Sequence, residues 1–137
     1  MKKFLIGIFL FFGLGCFADQ FVPNFNEMKT IRCDVEENIY NEDNSVVSKT
    51  NYFRIFKLDD PNQKIYLQKA PVDWLSYYGE DKIEFTLQPL ADDYIMTSAV
   101  VIDRKNYTYY SKTKIEYDNA AFGTRYAIAN GNCKLLD

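Results

Sequence analysis

The chain reads as an all-β protein: a single antiparallel meander of about seven to eight strands, rolled into a small barrel or stacked as a two-layer sandwich. Three observations predict this. Apolar and polar residues alternate in one segment after another, the two-residue period of a half-buried strand. Clusters of turn-forming residues recur at the ~8–12-residue spacing typical of sandwiches and barrels. Aromatic residues make up 17% of the sequence, and tyrosine and phenylalanine are favoured in strands.

Ahead of the strands stands a different kind of segment. Lys2 and Lys3 begin it, residues 4–17 are an almost unbroken apolar run, and Ala18 closes it with Cys16 two positions earlier. A basic start, a short apolar stretch and a small-x-small exit predict a signal peptide of bacterial character, residues 1–18, cut between Ala18 and Asp19. The run falls short of the about 20 residues a membrane-spanning helix needs, so no stable membrane span is expected. Gly13-Leu14-Gly15-Cys16 resembles the box before the lipid-modified cysteine of bacterial lipoproteins, but Gly13 stands where such boxes carry leucine. Cys16 is therefore read as the small residue of the cleavage site, with a lipid anchor there as the alternative.

Residues 19–137 are read as one β domain, of the size of a single folding unit. Residues 19–28 form an extended lead-in. From Thr30 the period becomes two, with Ile31, Cys33 and Val35 set against Arg32, Asp34 and Glu36. Glu42-Asp43-Asn44-Ser45 breaks the run. Residues 46–58 are a long second strand rich in branched and aromatic side chains, and Asp59-Asp60-Pro61-Asn62 turns it, proline presetting one dihedral and asparagine tolerating the next. A strand over 64–69 has Ile65 and Leu67 on one face. Pro71 interrupts, and an apolar stretch over 72–78 ends at Gly79-Glu80-Asp81.

Ile83, Phe85 and Leu87 alternate with Glu84, Thr86 and Gln88, and Asp92-Asp93 marks another turn. The next strand, 94–102, has a continuous apolar centre at 99–102, which predicts a central position covered on both faces. Asp103-Arg104-Lys105-Asn106 turns the chain. Residues 107–117 place Tyr107, Tyr109, Ile115 and Tyr117 opposite Lys112, Lys114 and Glu116. A loop over 118–123 leads to a strand over 124–130, and Gly131 is expected to bend the chain before Cys133.

Cys33 and Cys133 are 100 positions apart. Export places them where disulfides persist, and two thiols allow one pairing. Closing a meander into a barrel brings the first and last strands together, so a Cys33–Cys133 bridge is expected. On the chain-entropy model a loop of that size gives about 4–5 kcal/mol.

Charge and composition exclude several functions. Without Lys2 and Lys3 the domain has 14 basic against 19 acidic residues, a net of −5. Such a domain repels phosphate backbones, so no nucleic acid is expected as a partner. The sequence contains no histidine, which removes Ser-His-Asp triads, Cys-His pairs and imidazole metal sites. Paired cysteines remove thiolate chemistry as well. No catalytic residue, metal or cofactor is expected, and the one enzymatic alternative is a carboxylate-only glycosidase. The acidic turns at 59–62 and 92–93 lack the spaced ligands of a calcium loop. Asn106-Tyr107-Thr108 matches a glycosylation acceptor, a pattern set aside for a chain with a bacterial leader.

What remains is aromatic surface. All eleven tyrosines and the single tryptophan follow residue 18. The segments 72–78 and 107–110 carry apolar residues on both strand faces, and only one face can meet a core. Trp74, Tyr77 and Tyr78, with Tyr107, Tyr109 and Tyr110, are the candidate ligand-binding residues. They suggest an exported, periplasmic or secreted, non-enzymatic binding protein for a small molecule, a glycan or a protein. The alternative is a protein-interaction or inhibitor module acting on an envelope or secreted hydrolase. In strand count the chain resembles a lipocalin-like barrel, but the Gly-x-Trp expected near the first strand is absent, and no function follows from the likeness.

Overall fold

A computed structural model of the chain describes residues 22–89 and 91–136. The predicted leader, its cleavage point and Cys16 lie outside the described residues. Among these the only helical segment is a three-residue 3-10 turn at Phe25–Glu27, capped by Asn24, and everything else is strand or connection. Among the described residues no helix is long and apolar enough to cross a membrane.

Nine strands follow in order: β1 (Lys29–Tyr40), β2 (Val46–Asp59), β3 (Lys64–Leu67), β4 (Ala70–Pro71), β5 (Trp74–Tyr78), β6 (Lys82–Leu87), β7 (Tyr94–Asp103), β8 (Thr108–Tyr117) and β9 (Thr124–Leu136). They form one antiparallel sheet in the order β4-β3-β2-β1-β9-β8-β7-β6-β5. The meander is thus one curled sheet, a half-barrel, and not a two-layer sandwich. The strand count exceeds the expected seven or eight because a two-residue strand, β4, forms at Ala70–Pro71, where the sequence predicts only an interruption. The missing N–H of Pro71 is tolerated at a sheet edge, and it sits on the two-residue edge strand β4.

The first and last long strands lie side by side in the middle of the sheet, and Cys33 stands directly opposite Cys133 in their register. The two form the expected disulfide with both cysteines buried. The free edges, β4 and β5, are joined by residues 72 and 73 alone. The circle is completed by the chain and a few side-chain bonds rather than by a ladder: the Tyr78 hydroxyl at the end of β5 donates to Asp60, in the turn between β2 and β3, at 2.6 Å.

Alternation puts Ile31, Val35, Phe56, Leu58, Ile65, Ile83, Phe85, Val100, Ile102 and Tyr109 on the concave face, where they bury one core around the disulfide. The Phe56 ring meets Phe85 edge-on at 5.7 Å and stacks with Tyr109 at 6.3 Å. Contacts between β2 and β6, on opposite wings, show how far the sheet curls.

Two expectations are corrected. The apolar centre of β7 is not covered on both faces: Val100 and Ile102 are buried, but Ala99 is exposed. A single sheet has no second layer to cover its convex side. Gly131 does not bend the chain. It lies inside β9, where a Cβ would collide with the Asp34 carbonyl and come within 3.0 Å of Val35 Cα. Glycine is there so that the β1 backbone can approach closely.

The turns at 59–62 and 103–106 fold by the same device. Asp59 accepts hydrogen bonds from the backbone N–H and side-chain amide of Asn62, and Asp103 does the same with Asn106. Each loop ends on a residue with positive φ, Gln63 or Tyr107.

Candidate functional site

The six aromatic candidates divide among four places. Trp74 and Tyr77 lie on the outer side of edge strand β5, 57% and 45% exposed, with Leu75 exposed between them. Tyr107 and Tyr110 are exposed on the β7–β8 turn and the convex face of β8. Tyr109 points the other way and is part of the core. Tyr78 is half-buried at the seam between the two wings. No single pocket is lined by all six.

Tyr78 belongs to a polar clamp centred on Asp60. Its hydroxyl donates to Asp60 Oδ1 at 2.6 Å. Lys29 Nζ reaches Oδ2 at 2.8 Å, and Arg104 reaches the same carboxylate at 3.1 Å while donating to the Gly79 carbonyl at 3.0 Å. Partial burial pushes the Asp60 carboxyl up, but these hydrogen bonds outweigh it and hold it well below the usual carboxylate range. Burial first, and then the bond to Asp60, raises Tyr78 far above an ordinary phenol. The clamp joins the start of β1, the β2–β3 turn, the end of β5 and the β7–β8 turn. With its oxygens taken up by protein donors, Asp60 serves to close the seam.

The groove with unspent binding groups lies elsewhere, where β2 leaves the closed part of the barrel. β3 pairs only with residues 56–59 of β2. It then reverses through Gln68 and Lys69, both with positive φ (54° and 64°). Such a two-residue turn suits asparagine and glycine, and neither is present. Beside the hairpin opens a groove of about 450 Å³ lined by Tyr52, Phe53, Arg54, Ile55, Lys57, Leu67, Gln68 and Lys69.

Strand alternation supplies two kinds of wall. Tyr52 and Arg54 point to the concave side, Phe53 and Ile55 to the convex side. The Tyr52 hydroxyl donates to Glu37 Oε2 at 3.3 Å, and the Arg54 guanidinium lies 5.2 Å from the Tyr52 ring. Burial holds Tyr52 neutral well past the ordinary phenol range, with Tyr109 and Glu37 adding to the effect. Arg54 Nε is buried with no hydrogen-bond partner among the described residues. Phe53 is 54% exposed, with the Arg32 guanidinium 4.2 Å from its ring centre.

The lining contains three cations and no carboxylate, within a domain that is acidic as a whole. Its geometry suits an elongated ligand with apolar and negatively charged groups. Among the described residues no group of three or more acids or cysteines converges as a metal site requires.

Sequence reasoning missed this groove because Tyr52, Phe53 and Ile55 read as ordinary residues of a long strand. One signal was available: residues 46–58 contain Lys49, Arg54 and Lys57 and no acid.

The fold and groove define a class, a curled antiparallel half-barrel with a basic, aromatic cleft at its open side. No protein-family model, curated protein or solved structure matches the chain.

Proposed function

We propose that the chain is an exported, non-enzymatic binding protein that takes its ligand in the groove beside β2. One observation carries this assignment. The groove collects aromatic rings, apolar side chains and the cations Arg54, Lys57 and Lys69 without a single acid, and a guanidinium nitrogen there is left unpartnered. An unpaired buried donor is unfavourable unless something completes it. Export is supported by the basic-then-apolar start of the sequence and by the buried disulfide, which belongs to an oxidising compartment. A non-enzymatic role is supported by the absence of histidine and by the pairing of both cysteines.

The test is native mass spectrometry of protein purified from its own source, combined with hydrogen–deuterium exchange. The expected result is an added mass whose removal deprotects residues 52–57 and 67–69. A bare mass, with exchange unchanged on adding host extract, would sink the proposal.

A second role has its own support. Trp74 and Tyr77 form an exposed aromatic pair on the outer face of β5, the kind of surface that anchors protein partners. A co-purifying macromolecule that protects residues 74–77 instead of the groove would establish the interaction or inhibitor module.

A further inference from the structure

We infer that residues 46–55 of β2 form a docking edge for an extended acidic polypeptide segment, which joins the sheet as a tenth strand in the lane left empty by β3. The inference rests on the groove proposed above and names its occupant.

The lane is vacant because of a local event. β3 runs antiparallel to β2 from the Asp59–Lys64 pair to the Phe56–Leu67 pair. Continued in line, it would lie beside Ile55 and then Arg54. The Gln68–Lys69 turn instead sends the chain back as β4. Among the described residues nothing pairs with residues 46–55 on the side away from β1. At about 3.3 Å per residue this edge is roughly 33 Å long. Alternate residues present their N–H and C=O groups along it.

Free edges are usually blunted by shortness, proline, bulges or charge. The other edges of this sheet follow that rule. β4 is two residues long and contains Pro71, and β5 is five residues long with a register shift between Leu75 and Tyr77. β2 has neither shortness nor proline, and apart from a bulge at Val47 near its start its blunting device is cationic. Lys49 is exposed, and Arg54 and Lys57 extend the same sign along the strand. Lys69 adds another at the hairpin. The nearest acids, Asp34, Glu36 and Glu37, sit one strand further in on β1, on the opposite side from the vacant lane, and Glu42 and Asp43 stand in the turn before β2.

That charge decides the occupant. A second copy would set its own Lys49, Arg54, Lys57 and Lys69 alongside these, like sign against like. A segment with glutamate or aspartate places opposite charges across the ladder, worth a few tenths to about 1 kcal/mol per pair. The exposed Phe53 ring and the Tyr52 ring offer cross-strand contacts on opposite faces of the added strand. Main-chain bonds then supply affinity and alternate side chains supply selectivity, as in other strand additions.

The probe is a synthetic ten-residue peptide of threonine, valine, glutamate and tyrosine, titrated by fluorescence anisotropy. Two variants are N-methylated, one on each alternate set of amides, and a third replaces glutamate by lysine. The expected result is saturable binding that protects residues 46–55 from exchange. One methylated set loses at least tenfold in affinity while the other is tolerated, and the lysine peptide is at least tenfold weaker. Replacing the exposed Lys49→Glu and Lys69→Glu together weakens the acidic peptide at least tenfold, with an unchanged melting temperature showing that the fold is retained.

Equal binding of both methylated sets overturns strand addition but leaves the groove standing. So does a small host ligand that protects residues 52–54 in a protein that ignores every peptide. A peptide-free dimer protected at residues 46–55 replaces the proposed occupant with a second copy. If no ligand of any kind protects the groove, the inference and the function beneath it fail together.

Discussion

Phe53 and Phe56 are three positions apart on one strand and lead different lives. Phe56 is fully buried, with Ile65 and Leu67 of β3 on its flank and the rings of Phe85 and Tyr109 above it. Phe53 faces outward, more than half exposed, on a stretch of β2 with only β1 beside it. The boundary between these regimes is the point where β3 stops. On one side the sheet has enough strands to curl over a core. On the other it is a shallow sheet with an open flank and its polar groups unspent. Stability is concentrated in the first region, and the second is left with surface that folding does not need.

The sharpest test compares the two rings. Phe56→Ala should cost about 3–5 kcal/mol in urea unfolding, because the site is enclosed and cannot collapse. Phe53→Ala should cost under about 1 kcal/mol yet weaken ligand binding. Equal costs for the two would break the division. Next in size is the sulfur bridge. Cys33→Ser with Cys133→Ser should lower stability by up to about 4 kcal/mol. The eleven-position ladder between β1 and β9 remains, so strand content by circular dichroism should survive at low temperature.

Asp60→Asn should cost about 2 kcal/mol at neutral pH, since it removes a charged acceptor from three donors. Its pKa is depressed in the fold, so its contribution is present above the ordinary carboxylate value of about 4 and is lost as pH falls below it. The variant should therefore show a flatter acid limb than the parent between about pH 4 and 2, and an identical limb would remove the clamp from the seam. The smallest effect is a gain. Gln68→Asn with Lys69→Gly should raise stability by roughly 1 kcal/mol by relieving two strained positive-φ residues. A loss would mean that the hairpin is held by contacts rather than by its turn.

Much of the fold was legible because it rests on local rules. The alternation of Ile31, Cys33 and Val35 gave the core face of β1, and the turns at 59–62 and 103–106 announced themselves through aspartate and asparagine three apart. The cysteine pair was legible through elimination and ring closure. What escaped depends on distant strands. The apolar centre of β7 looks doubly buried until the sheet is known to have one layer. Gly131 looks like a breaker until Asp34 is known to pass against it. The candidate site was the least legible part. Tyr109 and Tyr78 read as surface tyrosines and became core and seam, whereas the groove depends on β3 ending at Leu67, which no periodicity announces.

The adjacency of β1 and β9 bears on how the protein is made. The two strands at the centre of the sheet come from opposite ends of the polypeptide, so during synthesis the left and right wings have no common spine until the last thirteen-residue strand is available. Contacts of such long sequence separation slow folding. Until β9 is made the two wings cannot be joined, so closure of the sheet waits for the whole of that strand.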